Sequence, residues 1–259
     1  MTTTPSPPAL ESLPLRPSTN VQSWGPTIVV APHPDDESIG CGGAIRLLRD
    51  ADIPVRVIFV SDGSGSHPNS RRYPPERLRS LREREALAAL AQLGVPAADA
   101  RFLGLPDRFV PTADDAGFAG AVALMIGALS VPWLPATILV PWRRDPHGDH
   151  RASWQIVVAA IRRLPQSPRI IEYPVWIWDL GDADDFPTPD EMDAWQLDIT
   201  SVIEQKLAAI AAHRSQTTSL IDDDPDGFML PAEMLRRAAL PREIYMDDQE
   251  IGADEETDR

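Results

Sequence analysis

The sequence predicts an α/β fold built on a mainly parallel sheet, and three observations predict it. Short apolar runs recur along the chain and alternate with longer segments of helical period. Those runs are continuously apolar rather than alternating, as strands covered on both faces are. With 259 residues, 43% of them hydrophobic and 24% charged, the chain is long enough to bury such a sheet within a single large domain.

The elements follow in order. Residues 1–22 are Pro-rich and carry neither the basic region nor the apolar core of a secretory signal, so an extended arm is expected there. "TIVVA" (27–31) is the first buried strand. A helix over 38–50 follows, with Ile39, Ala44, Leu47 and Leu48 on one side. "VRVIFVS" (55–61) is the second strand and leads into a long polar loop (62–74) containing His67. A helix over 75–93 places Leu78, Leu81, Leu87, Leu90 and Leu93 near helical period, and Gly94 supplies its C-terminal stop. "RFLGL" (101–105) is the third strand.

Residues 116–142 contain no charge and are long enough to cross a bilayer. Pro132 and Pro135 interrupt the stretch, and its first half is rich in Ala and Gly. A helix over 116–129 and a buried strand "TILVP" (137–141) account for it without lipid. A helix over 150–164 and a strand "RIIEYPV" (169–175) complete the repeating pattern. Beyond about 180 an appended region is expected, with a strand in "WQLDIT" and a helix over 200–213. The division expected is one domain over 23–246, preceded by the arm and followed by an acidic, mobile tail over 247–259.

A net charge of −15 argues against nucleic acid, whose phosphates require a basic footprint, and against an anionic membrane surface. The excess acid falls mostly in three stretches, "GDADDFPTPDEMD", "DDDPDG" and the tail, which read as solvated loops. Cys41 is the sole cysteine, so no intrachain disulfide forms and a reducing cytoplasm is expected. Lying among glycines, Cys41 suits a small packed residue better than a nucleophile.

Chemistry gathers at two strand ends. The first strand runs into "PHPDDE" (32–37), and the fourth into "DPHGDH" (145–150). Three of the five histidines, His33, His147 and His150, fall in these clusters. In open parallel sheets ligands bind beyond the carboxyl ends of strands, so both clusters are delivered to one edge. Taken singly, HxxH occurs often by chance, and PDDE reads as a turn with acids at a helix N-terminus. Together they offer two imidazoles and a carboxylate with an open fourth position, a donor set for catalytic zinc that also accepts ferrous iron.

In order along the chain, "PHPDDE", "GCGG", "SDGSGSHP", "LGLPD", "DPHGDH" and "HRSQ" resemble the motifs of the PIG-L/LmbE family of metal-dependent deacetylases. The likeness spans roughly residues 27 to 216, and "APHPDDE" stands where "AHPDDE" is commoner. It implies a Rossmann-like three-layer sandwich and hydrolysis of an N-acetyl group, most often on an N-acetylglucosamine conjugate. Carried over by position, it implies that His33, Asp36 and His150 bind the metal. It also implies that Asp35 is the general base and that His147 stabilises the oxyanion or donates a proton.

Five further residues are candidates for substrate contact. Asp62 ends the second strand beside Ser61, and Asp107 lies beyond the third, where capping a turn is an equal reading. Arg82 and Glu85 stand three apart on a helix, as an ordinary surface pair would. Arg143, with Arg144, could meet an anionic group or orient Asp145. His213 sits at a helix end, where a dipole-satisfying role is common.

"DDDPDGFMLPAE" (222–233) also fits the written pattern of a calcium-binding EF-hand loop. Pro225 and Pro231 oppose that reading, since the second interrupts the exit helix, and an acidic turn bordering the substrate cleft is expected instead. The function expected is zinc-dependent N-deacetylation of a small acetylated amino-sugar conjugate, with no nucleic-acid partner and a homo-oligomer left open. The alternatives are a non-catalytic sugar-binding protein and a metal-dependent hydrolase of another acyl or phosphoester bond.

Overall fold

The computed structural model describes residues 12–248 apart from 131 and 189. Residues 1–11 of the expected arm and 249–259 of the expected tail lie outside the described residues. The elements run β1 (Leu15–Arg16), β2 (Thr27–Ala31), α1 (Asp36–Asp50), β3 (Val55–Ser61), α2 (Pro75–Gln92), β4 (Ala100–Leu105), α3 (Phe118–Leu129) and β5 (Thr137–Pro141). They continue with α4 (Gly148–Ile161), β6 (Arg169–Tyr173), α5 (Ile177–Leu180), β7 (Met192–Asp198), α6 (Ile203–Ala212), α7 (Arg214–Thr217), α8 (Ala232–Ala238) and β8 (Arg242–Asp248).

Eight strands form one sheet in the order β1-β7-β8-β6-β5-β2-β3-β4. Every pairing is parallel except those of β8, which lies antiparallel between β6 and β7. The region after 180 is thus appended to the sheet itself. Of the arm, Leu15–Arg16 pair with Gln196 and Leu197 of β7. From β2 the chain proceeds to β3 and β4 on one side and returns through β5 and β6 on the other. The strand order therefore reverses between β2 and β5, which pair from Thr27↔Thr137 to Val29↔Leu139. A crevice opens at such a switch point.

The expected strands and helices are present, with ends displaced by a few residues. The charge-free stretch resolves into α3 and β5, and among the described residues no helix is long and apolar enough to cross a membrane. Burial divides the core across the two faces of the sheet. One side packs Val29, Phe59 and Leu139 under α1, α2 and α6; the other packs Ile28, Ile58 and Ile138 under α3 and α4. The glycines of "GCGG" let α1 approach closely. A Cβ on Gly40 would fall 2.5 Å from the Tyr173 ring, and one on Gly43 would fall 2.5 Å from Ile199. Cys41 between them is fully buried, and burial pushes its thiol well above the ordinary range, which leaves it unreactive.

Candidate active site

Asp35 sits at the corner where β2 gives way to α1, with φ 144° and ψ −28°. A non-glycine residue in that region costs roughly 1–3 kcal/mol and persists only where its surroundings impose it. Three contacts impose it here. The Asp35 N–H donates to Glu37 Oε2 at 2.9 Å. Arg82 Nη2 donates to Asp35 Oδ2 at 3.0 Å and to the Pro34 carbonyl at 2.8 Å. The Asp35 carbonyl meanwhile accepts from Ser38 and Ile39 in the first turn of α1.

The same corner presents Asp36 to the imidazoles. Asp36 Oδ2 lies 3.1 Å from His33 Nδ1 and 3.2 Å from His150 Nε2. Tetrahedral bonds of 2.0–2.1 Å to a zinc ion would set neighbouring donor atoms about 3.3 Å apart. The outer nitrogens are also backed by carboxylates: His33 Nε2 by Asp149 at 3.0 Å and Asp107 at 3.3 Å, His150 Nδ1 by Asp145 at 3.5 Å. Such backing orients ligating imidazoles. Both ring nitrogens of His150 are buried without a well-formed hydrogen bond, as ligand atoms would be. The donor set fits a divalent cation.

His147 also contributes to the cluster, since His33, His147 and His150 each offer a nitrogen within 4.8 Å of the others. Its own hydrogen bonding separates it from the pair. His147 caps α4, and its Nδ1 accepts the Asp149 N–H at 3.2 Å. With that lone pair engaged, a neutral ring carries its proton on Nε2. Nε2 is then a donor and not a ligand.

Charge follows the same division. Burial raises Asp35 to about 6, with Arg82 opposing and Asp36 adding to the rise. His147 is lowered to about 4 by burial and by the neighbouring imidazoles, so it is neutral at pH 7. Burial opposes protonation of His150, but Asp36 and Asp145 outweigh it and raise the ring to about 9. His33 is raised well above its ordinary value against burial, by Asp107, Asp149 and Asp36. Asp107, despite burial, is held well below the carboxylate range by His33 and Arg82. Carboxylates thus outnumber cations around these two imidazoles, a field that favours a bound positive ion.

Of the substrate candidates, Arg82 and Asp107 line a cavity of about 630 Å³ with His33, Asp35, Asp36 and His147. Arg82 is no surface pair with Glu85. Both are buried, and Glu85 instead accepts from Ser215 N and Oγ at 2.9 and 2.6 Å. His213 lies 2.8 Å from Glu37 Oε1 and so supports the Asp35 corner from behind. Arg143 and Asp62 are not part of the cavity wall. Arg143 Nε donates to Glu172 at 2.8 Å, and Asp62 accepts the Ser64 N–H at 3.0 Å. Arg144 is paired with Glu191 rather than orienting Asp145.

The acidic turn borders the cavity through Asp226 and Phe228. Two of its carboxylates are engaged by the 62–74 loop. Asp223 accepts from Ser70 Oγ and from the N–H groups of Arg71 and Arg72 at 2.7–2.9 Å, and Asp224 accepts from Asn69 N at 2.8 Å. These bonds fasten the turn to the 62–74 loop.

Sequence reasoning did not single out Glu37 or Trp176. Glu37 stands within the "PHPDDE" motif, two residues from Asp35, and that spacing could have marked it. Trp176 gave no local signal. It stacks beside His147 with ring centroids 6.1 Å apart and touches Phe228 at 5.6 Å.

Comparison with known proteins identifies relatives of this chain. The family described as GlcNAc-PI de-N-acetylase (PIG-L) matches residues 28–161. A probable N-acetyl-alpha-D-glucosaminyl L-malate deacetylase 2 of Bacillus cereus is 31% identical over 202 residues, covering 76% of this chain and 86% of the relative. Among solved structures, the A40926 pseudoaglycone deacetylase superimposes with a TM-score of 0.64 at 19% identity, covering 86% of this chain and 97% of that one. A 4-carboxy-2-hydroxymuconate hydratase of Pseudomonas putida gives 0.57 at 20% identity, covering 73% and 78%. The fold alone thus does not specify the reaction, whereas the sequence match does identify the lineage. The chain belongs to the GlcNAc-PI de-N-acetylase (PIG-L) family of metal-dependent deacetylases.

Proposed function

We propose that this protein removes the acetyl group from an N-acetylglucosamine-containing small molecule, using zinc held by His33, Asp36 and His150. Ferrous iron is the alternative that the same donors accept. One observation carries the reading: Asp35, buried and gripped by Arg82, lines the same cavity as His33 and Asp36, and His150 lies 3.2 Å behind Asp36. When bound, the ion supplies a Lewis acid and brings the pKa of a coordinated water near neutrality.

The chain's own residues divide the remaining work. Asp35, mostly ionised at pH 7 with its pKa near 6, takes a proton from the attacking water. Arg82 fixes the direction of that carboxylate and keeps it from rising further, which makes it a positioning residue. The neutral His147 ring donates from Nε2 to the carbonyl oxygen as negative charge develops there. Asp35 then returns its proton to the departing amine nitrogen, so water is consumed and acetate and a free amine leave.

Cytoplasm is the proposed location, because the lone buried cysteine suits a reducing compartment. The test is acetate release from a panel of N-acetylglucosaminides with zinc and ferrous iron supplied separately. Asp35→Asn is expected to retain the metal and lose acetate release. Full activity in that variant would remove Asp35 from the role.

A further inference from the structure

One side of the active cavity has a chemistry that amide hydrolysis does not use. Besides the carboxylates and imidazoles, the lining includes Trp176, Phe228, Met229, Leu180 and Met234. Trp176 lies beside His147, and Phe228 lies against Trp176. Leu180 and Met229 carry the wall outward to solvent, where they are 58% and 45% exposed. Phe109, next to the lining residue Arg108, is 77% exposed. Three of the seven large exposed hydrophobic side chains among the described residues therefore lie on or next to the lining of this cavity.

A single aromatic face is enough to stack on a hexose. Aliphatic surface continuing from it toward solvent is more than a sugar ring covers, and apolar surface left exposed in a cavity signals an apolar ligand. The charges point the same way. The lining arginines are Arg82 and Arg108, and Arg82 is committed to Asp35 and to two backbone carbonyls. That leaves one guanidinium, with no cluster to receive a polyanionic group.

We infer that the substrate is an N-acetylated amino sugar whose aglycone carries an alkyl or aryl group, seated on the Trp176–Phe228–Met229–Leu180 wall. This rests on the deacetylase reading above. The apolar portion belongs to the aglycone because the wall opens to solvent, as the larger part of a substrate requires; the methyl group of an acetyl does not. Each methylene fully removed from water adds about fourfold in affinity.

The experiment compares methyl, hexyl and phenyl 2-acetamido-2-deoxyglucosides with the methyl glycoside of N-hexanoylglucosamine, using the metal-loaded enzyme. The hexyl and phenyl glycosides are expected to exceed the methyl glycoside in kcat/KM by tenfold or more, chiefly through KM. In the double variant Leu180→Ser, Met229→Ser that ratio is expected to fall to within about threefold. Equal kcat/KM across the three N-acetyl glycosides would overturn the inference, as would a preference for the N-hexanoyl compound, which would assign the wall to the acyl group. If none of the four is hydrolysed to the free amine, the deacetylase reading fails separately. Calorimetry with hexyl and methyl 2-amino-2-deoxyglucosides then decides the wall: tenfold tighter binding of the hexyl compound upholds it, and equal binding rejects it.

Discussion

Two dense runs of carboxylates, at 34–37 and at 222–226, are built from the same residue types and have opposite fates. In the first, Asp36 faces imidazole nitrogens at 3.1 and 3.2 Å and Asp35 faces a buried guanidinium. In the second, Asp223 and Asp224 are consumed by the N–H groups of residues 69, 71 and 72. Backbone bonds alone do not decide the matter, since Asp36 Oδ2 also accepts the His33 backbone N–H at 2.8 Å; Asp36 differs in that two imidazoles share that oxygen. Imidazoles have lone pairs of their own, so carboxylate and imidazole together make a ligand set. What separates a cation site from a structural staple is the donor opposite the acid, which the local motif does not reveal.

The contrast is broken most directly by Asp35→Asn. Turnover should fall by about 10²–10⁴, while metal content measured by elemental analysis stays near that of the parent. His150→Ala should instead lose both metal and activity, and retention of stoichiometric metal would transfer the ligand role to His147. Arg82→Met sharpens the comparison at an intermediate level. Without the opposing cation the Asp35 pKa rises above about 6, so the acid limb of the pH–rate profile moves to higher pH. Activity near pH 6 should fall about tenfold. A lower amplitude with an unmoved limb would mean that Arg82 acts through packing alone.

Metal affinity should weaken as pH falls, because His150, with its pKa near 9, and His33 must release protons to bind. The expected slope is about tenfold per pH unit for each proton displaced, read by competition with a chelator. A flat profile would place the ion elsewhere. The smallest effect belongs to the staple. Asp224→Ala should cost about 2 kcal/mol in chemical denaturation, through the lost charge-assisted bonds to the 62–74 loop. It should leave bound metal unchanged, and calcium should not shift the Tm of the parent.

Much of this was legible in the sequence because the signals were local. The five continuous strands and the helices between them announced the sheet, and the two histidine clusters named the side chains that the fold brings together. Residues whose meaning depends on a distant partner were harder to read. Arg82 looked like half of a surface pair, since nothing in α2 shows that its guanidinium reaches Asp35 47 positions away. Arg143 looked available to substrate until Glu172 of the neighbouring strand claimed it. The β8 strand was not anticipated: its pattern "REIYMDD" begins and ends in charge, and its place between β6 and β7 depends on long-range pairing. Trp176 follows a strand in an unremarkable loop, and only the folded chain sets it beside His147.

His33 and Asp149 meet across 116 positions of sequence, and they meet because β2 and β5 are neighbours. A nascent chain that has not yet delivered β5 to the edge of β2 would hold two of the three proposed ligands, His33 and Asp36, without His150. With the proposed ligands, tight capture of an ion would therefore require that the central strands have docked, and its uptake would report completed assembly.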